Sequence, residues 1–128
     1  MLDTNIVSEM IRNPAGPAAQ RARAAGSAVC VSVIVAAELR YGCAKKGSAQ
    51  LLRKIEEFLL EVPVLPFDVP ADGEYGSIRA ELEAAGCMIG SNDLLIAAHA
   101  QALGATVVTA NVGEFRRVRG LNVENWLA

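Results

Sequence analysis

Apolar positions along the chain switch repeatedly between short runs of β character and longer stripes at helical spacing. A parallel sheet covered by helices on both faces produces this alternation. Five extended runs stand out: Met1–Leu2, Val29–Val31, Val64–Phe67, Thr106–Val108 and an edge piece at Leu121–Val123. The first is short for a strand, which implies either a stunted element or a few residues upstream of Met1. Ile6, Val7, Met10 and Ile11 then share one helical stripe, which Pro14 stops. A second helix is expected from Pro17 to Gly26. Ser32 is the expected N-cap of Val33–Tyr41, and Gly42 and Gly47 punctuate the stretch beyond it. Leu51, Leu52, Ile55, Phe58 and Leu59 give another stripe, and Ala71–Ala85 reads as a helix closed by Gly86. Ser91 is expected to cap the next helix, which runs through Leu103 to Gly104.

With 128 residues, 52% of them apolar, the chain is sized for one domain, residues 1–128, around one core. Its longest mainly apolar stretch, Ala28–Ala37, is ten residues broken by Ser32. That is far short of the roughly 20 needed to span a bilayer. An acid at position 3 and no basic leader argue against a secretory signal, so a cytoplasmic location is expected. Cys30, Cys43 and Cys87 are odd in number and lack metal-knuckle spacing, so they are read as reduced and mostly buried. The net charge of −2 argues against a protein that coats nucleic acid. Four acids holding two divalent ions would reverse that sign, so charge leaves the partner open.

Four acids fall where such a sheet would gather them. Asp3 directly follows the first run, at the strand end where open α/β sheets place ligand-binding groups, although it also suits a helix cap. Glu38 sits in Val33-Ile34-Val35-Ala36-Ala37-Glu38-Leu39, with no helical neighbour able to pair with it. Such a carboxylate must reach solvent, find a distant cation or bind a metal. Asp93 opens a helix that continues Leu94-Leu95-Ile96-Ala97-Ala98, where it would also favour the helix dipole. Glu114 is expected in the loop after Thr106–Val108, in a place where a solvated surface acid is equally ordinary. Each of the four is expected to follow the carboxyl end of a strand within one short element, which would line them along one edge. Converging carboxylates repel unless neutralised, and hard oxygen ligands suit Mg²⁺ or Mn²⁺. The lone His99, expected in mid-helix, lacks the second imidazole of a zinc pair. Acid clusters with one or two such ions activate water and stabilise the leaving oxygen in phosphodiester hydrolysis.

The segments MLDTNIVSEMI, SVIVAAELRYG and IRAELEAAGCMIGSNDLLIAAHAQALGATVVTANVGEFRRVRGLNVENW together resemble the PIN-domain ribonucleases, and among them the VapC-type toxins of bacterial toxin–antitoxin pairs. The resemblance covers essentially the whole chain. It implies a three-layer α/β/α sandwich with a mostly parallel sheet, a Mg²⁺ or Mn²⁺ site, and endonucleolytic cleavage of structured RNA such as tRNA. Carried over by motif, the DTN acid is Asp3, the AEL acid Glu38, the NDLLIA acid Asp93 and the EF acid Glu114. Thr4, Asn5, Ser91 and Asn111 stand where such proteins carry polar groups that orient the acids. The strand-end segment departs from the family pattern: Ala110 replaces a polar residue and Gly113 a charged one, which puts a second metal or an RNA contact in doubt.

Arg116 and Arg117, just past Glu114, are the basic residues best placed for RNA phosphates; Arg12, Arg21, Arg23, Arg40, Lys45, Lys46 and Arg119 read mainly as solvated. Few aromatics are present to form a base-stacking platform. The resemblance also implies a VapB-type antitoxin partner and a homodimer within a hetero-oligomer. The antitoxin segment would dock on apolar surface from Ile6, Met10 and Ile11 and from the Leu51–Leu59 helix. The competing class is a catalytically weak PIN-like scaffold that binds an antitoxin and acts in promoter-DNA autorepression. A phosphatase of the DxD type fits poorly, because Asn5 stands where its second acid would be.

Overall fold

The protein is described by a computed structural model covering residues 1–127; Ala128, the last residue of the expected domain, lies outside the described residues. Four two-residue strands form, β1 (Val31–Ser32), β2 (Val64–Leu65), β3 (Val107–Val108) and β4 (Val123–Glu124), each shorter than or shifted from its expected run. β1 pairs with β2 and β3 with β4, both in parallel. The N-terminal segment joins the two pairs. Leu2 N–H donates to the Cys30 carbonyl at 2.9 Å, Val108 N–H to Met1 at 2.9 Å, and Asp3 N–H to Val108 at 2.8 Å. The resulting order is β2, β1, the Met1–Asp3 segment, β3, β4, with Leu2 and Val108 bridged in parallel.

Side chains alternate between the faces of a strand, yet Val31, Ser32, Val107 and Val108 are all buried. Both faces are therefore covered, which makes three layers and explains why these runs read as continuously apolar. The covering helices are α1 (Thr4–Arg12), α2 (Pro17–Ala25), α3 (Val33–Lys46), α4 (Ala49–Glu61), α5 (Ala71–Ala84), α6 (Ser91–Leu103) and the one-turn α7 (Val112–Phe115). One apolar cluster runs from Leu2 through Val35, Ile55, Leu82 and Ile96 to Phe115. The three cysteines are free; Cys43 is buried and the other two half-buried. Among the described residues no helix is long and apolar enough to cross a membrane.

Several local expectations need correction. Gly42 does not end α3, which continues to Lys46 and closes on Gly47 in the left-handed region at φ 66°. Ser91 is not the cap of α6. Gly90 holds that position without a side chain, and Ser91 is the first helical residue. Glu114 lies in α7 rather than in a loop. Asp93 does not follow a strand within one short element, because the whole of α5 separates β2 from α6. Ile6 is completely buried, so it belongs to the core and not to a docking face.

Candidate active site

The acids enter the site from four separate elements. Asp3 ends the N-terminal segment and caps α1, accepting from Thr4 N–H at 2.8 Å, so its capping and site positions coincide. It is only 2% exposed, and its other oxygen accepts from the Thr109 hydroxyl at 2.7 Å and the Asn5 amide at 3.1 Å. Burial lifts its carboxyl above the ordinary range, nearby Glu38 adds to that, and the Thr109, Thr4 and Asn5 hydrogen bonds oppose it.

Glu38 projects from α3, with no partner on its own helix. The Thr4 hydroxyl donates to Glu38 Oε1 at 2.5 Å, and the Asn92 amide to Oε2 at 3.3 Å. Asp93 stands in the first turn of α6, half-buried, and accepts from the Asn111 amide at 3.0 Å. Its carboxyl is pushed up to about 7 by burial first, then by the charge of Asp3 and by Glu114. Glu114 accepts from the same Asn111 amide and from Gly90 N–H at 3.2 Å. The Asn111 bond, with help from Arg117, holds its carboxyl below the usual range.

These contacts close into one network. It runs from Asn92 to Glu38, Thr4, Asp3 and Thr109, then to Asn111, whose N–H donates to the Thr109 hydroxyl at 2.9 Å, and ends on Asp93 and Glu114. Among the described residues none of the four acids is in an ion pair; those pairs involve Glu9, Glu56, Glu81, Glu83 and Glu124. The donor set is thus all oxygen, partly dry and outside any ion pair, with the charge of Arg117 reaching Glu114 alone of the four, a chemistry that fits a hard divalent cation. As packed, the carboxylates are turned onto hydroxyls and amides, and among the described residues no group of three or more is gathered closely enough to close around one ion.

Of the four orienting residues expected from sequence, Thr4, Asn5 and Asn111 touch an acid, and Asn5 also accepts from Ala110 N–H at 2.9 Å. Ser91 is exposed, and none of the contacts to the acids comes from it. Thr109 and Asn92 join the site without having been expected there. A hydroxyl ending the apolar Val107-Val108 run is a usable signal for Thr109, whereas Asn92 carries no distinguishing signal. Arg117 donates to the Met88 carbonyl at 2.8 Å, and Arg116 is exposed beside it. Arg12, Arg21, Arg40 and Arg119 are in ion pairs. A Cβ at Gly113 would meet open space, so its lack of a side chain is not imposed by crowding.

The buried Thr109 hydroxyl donates to Asp3 and accepts from Asn111 N–H and, at 3.5 Å, from the Asn5 amide, so Thr109→Val keeps the shape while stripping these partners. This substitution is expected to cost about 2 kcal/mol in urea unfolding. The RNA cleavage that the sequence resemblance implies should fall by about 10–100-fold, as when a ligand loses its orienting partner.

The PIN domain family matches residues 1–121. Ribonuclease VapC2 of Rickettsia felis is 41% identical, covering 98% of this chain and 96% of its own. The tRNA(fMet)-specific endonuclease VapC of Shigella flexneri is 39% identical over 98% of this chain and 96% of its own. The DNA-bound VapBC structure from Salmonella typhimurium superposes with a TM-score of 0.92 at 38% identity, covering 98% of this chain and 96% of that one. With the PIN domain matched over residues 1–121 and relatives at this level of identity over nearly its full length, the chain belongs to the PIN-domain family, in its VapC branch.

Proposed function

We propose that the chain is a Mg²⁺- or Mn²⁺-dependent endoribonuclease toxin that cleaves structured RNA such as tRNA. The observation that carries this reading is the linkage of four carboxylates from four elements into one hydrogen-bonded network outside any ion pair. Asp3, Glu38 and Asp93 would hold the first ion, and Glu114 with Asp3 or Asp93 a weaker second one. When bound, such an ion supplies positive charge that acidifies the attacking water and stabilises the leaving 3′ oxygen. Thr4 fixes the Glu38 carboxylate, Thr109 and Asn5 fix Asp3, and Asn111 holds Asp93 beside Glu114. Arg116 and Arg117 offer positive charge to phosphates next to Glu114. In-line attack by water leaves a 5′-phosphate and a 3′-hydroxyl.

Control by a VapB-type antitoxin is supported by the solved VapBC complexes that this fold resembles. A cleft of about 200 Å³ begins at Thr4 and Glu38, is walled by Ile11, Leu51 and Ile55, and carries Lys46. A peptide tail laid there would cover the Glu38 end of the site. We further infer a cytoplasmic homodimer within the toxin–antitoxin assembly. The competing scaffold reading has no need of four acids held in one network.

Incubation of antitoxin-free protein with total RNA and Mg²⁺, followed by mapping of new 5′ ends, tests the reading. Discrete cuts bearing 5′-phosphates are expected. Intact RNA, or 2′,3′-cyclic ends, would count against it.

A further inference from the structure

The helices that carry Glu38 and Asp93 are tied together twice. Ser32, at the head of α3, meets His99 in the body of α6 through Oγ and Nδ1 at 2.8 Å. Glu38, in the body of α3, meets Asn92 near the start of α6 at 3.3 Å. The two helices therefore run in opposite directions, with polar rungs at the two ends of a shared stretch. Ser32 and Glu38 are six residues apart and Asn92 and His99 seven, so each helix rises about 9–10 Å between rungs.

The inner rung is dry. Ser32 is 0% and His99 2% exposed. The Ser32 oxygen accepts from Ile34 N–H at 3.1 Å, and its own proton is free for His99 Nδ1. Burial holds the imidazole's pKa below the ordinary range, with the charge of Asp68 and then the Pro66 backbone opposing it, so the ring is disposed to be neutral and can offer one nitrogen as an acceptor. Phe67 packs on the ring at 5.5 Å with an interplanar angle of 75°. The imidazole is thus held by Ser32 at Nδ1 and by the Phe67 ring.

Apolar packing between α3 and α6 does not select a register as sharply. Burial is non-directional, and half of the buried residues of α6, Ala97, Ala98 and Ala100 beside Leu94, Ile96 and His99, are too small to form deep ridges. A buried hydrogen bond is directional and costly to leave unmade. We propose that Ser32–His99 is a positioning pair that sets α3 against α6, and with it the placement of Glu38 relative to Asp93. Its activity readout rests on the nuclease reading given above. His99 touches none of the four acids, so it acts through the helices and not on the reacting atoms.

The test compares His99→Leu, which removes the acceptor, with His99→Asn, whose Oδ1 takes the place of Nδ1. Both are assayed as full-length protein for cleavage of bulk tRNA at saturating and limiting RNA, and for the Tm rise on adding Mn²⁺. His99→Leu is expected to lose at least about tenfold in kcat with little change in KM, and to lose most of its Mn²⁺ response. His99→Asn is expected to recover both to within about threefold. If His99→Leu does not fold, His99→Gln takes its place, because its longer amide overshoots the Nδ1 position. Full rate and full Mn²⁺ response in the acceptor-less variant overturn the proposal, as does a His99→Asn protein equally impaired. A wild type that leaves RNA intact, while its Mn²⁺ response is lost in Leu and regained in Asn, removes the nuclease reading and supports the positioning pair.

Discussion

Asp93→Asn is expected to abolish RNA cleavage while raising the melting temperature of the metal-free protein. The activity loss should exceed about 100-fold, the upper end of what removing a mere orienting partner costs. The stability gain follows from the sign of the pKa shift. In the folded protein the Asp93 carboxyl is pushed up to about 7 from 3.8, by burial and then by Asp3 and Glu114. A carboxyl raised on folding contributes most favourably below the unfolded value and loses that contribution as pH rises through the folded one. Asparagine is neutral throughout, so its advantage is absent near pH 4 and complete above pH 7. After screening of this half-exposed group it is worth about 1–2 kcal/mol, or about 3–8 °C for a domain of this size. The opposing loss, a negative charge at the N-terminus of α6, is about 0.3–1 kcal/mol and does not win. Thermal unfolding in EDTA at pH 8 and pH 4 checks the sign, and a lower Tm at pH 8 would show that Asp93 is a helix cap first. Unimpaired cleavage would falsify the acid site.

Mg²⁺ or Mn²⁺ is expected to raise the Tm of the wild type and to be required for cleavage. Ions that relieve carboxylate repulsion bind the native state, and a free concentration a hundredfold above Kd adds about 2.7 kcal/mol. The effect should shrink as pH falls below 7, because Asp93 must be deprotonated to serve as a ligand. Asp93→Asn should blunt it at every pH. Calorimetric scans with and without the ion, paired with RNA digestion in excess EDTA, make the comparison. Cleavage that persists undiminished in EDTA contradicts the metal requirement.

The layered fold is legible in the chain because residues buried on both faces of a parallel strand leave continuous apolar runs, as at Val107-Val108. The four acids are also legible one by one. Their partners are not: the Thr4 hydroxyl reaches Glu38 from 34 positions away, and the Thr109 hydroxyl reaches Asp3 from 106. Such contacts exist only after the helices have packed, so no local pattern announces them. Ser91 fails as a cap for a different reason. Serine is a good cap in general, but here the chain bends one residue earlier, at Gly90, which leaves Ser91 inside the helix. The expectation that Asp93 closely follows a strand fails because α5 intervenes between β2 and α6, and the acid reaches the site from the start of the second helix after that strand.

The central position of the Met1–Asp3 segment, held between the Val29–Ser32 region and β3, bears on when the site can exist during synthesis. Leu2 bridges Val108, and the hydroxyl that steadies Asp3 is at position 109, so residues 2 and 3 must wait for residues synthesised 106 positions later. At about 5–20 residues per second that wait is on the order of 5–20 s. A growing chain, or one terminated before Thr109, has an incomplete centre to its sheet and a lone Asp3. The carboxylate network can therefore assemble only once the ribosome has passed Thr109 and Asn111, whatever is already folded upstream.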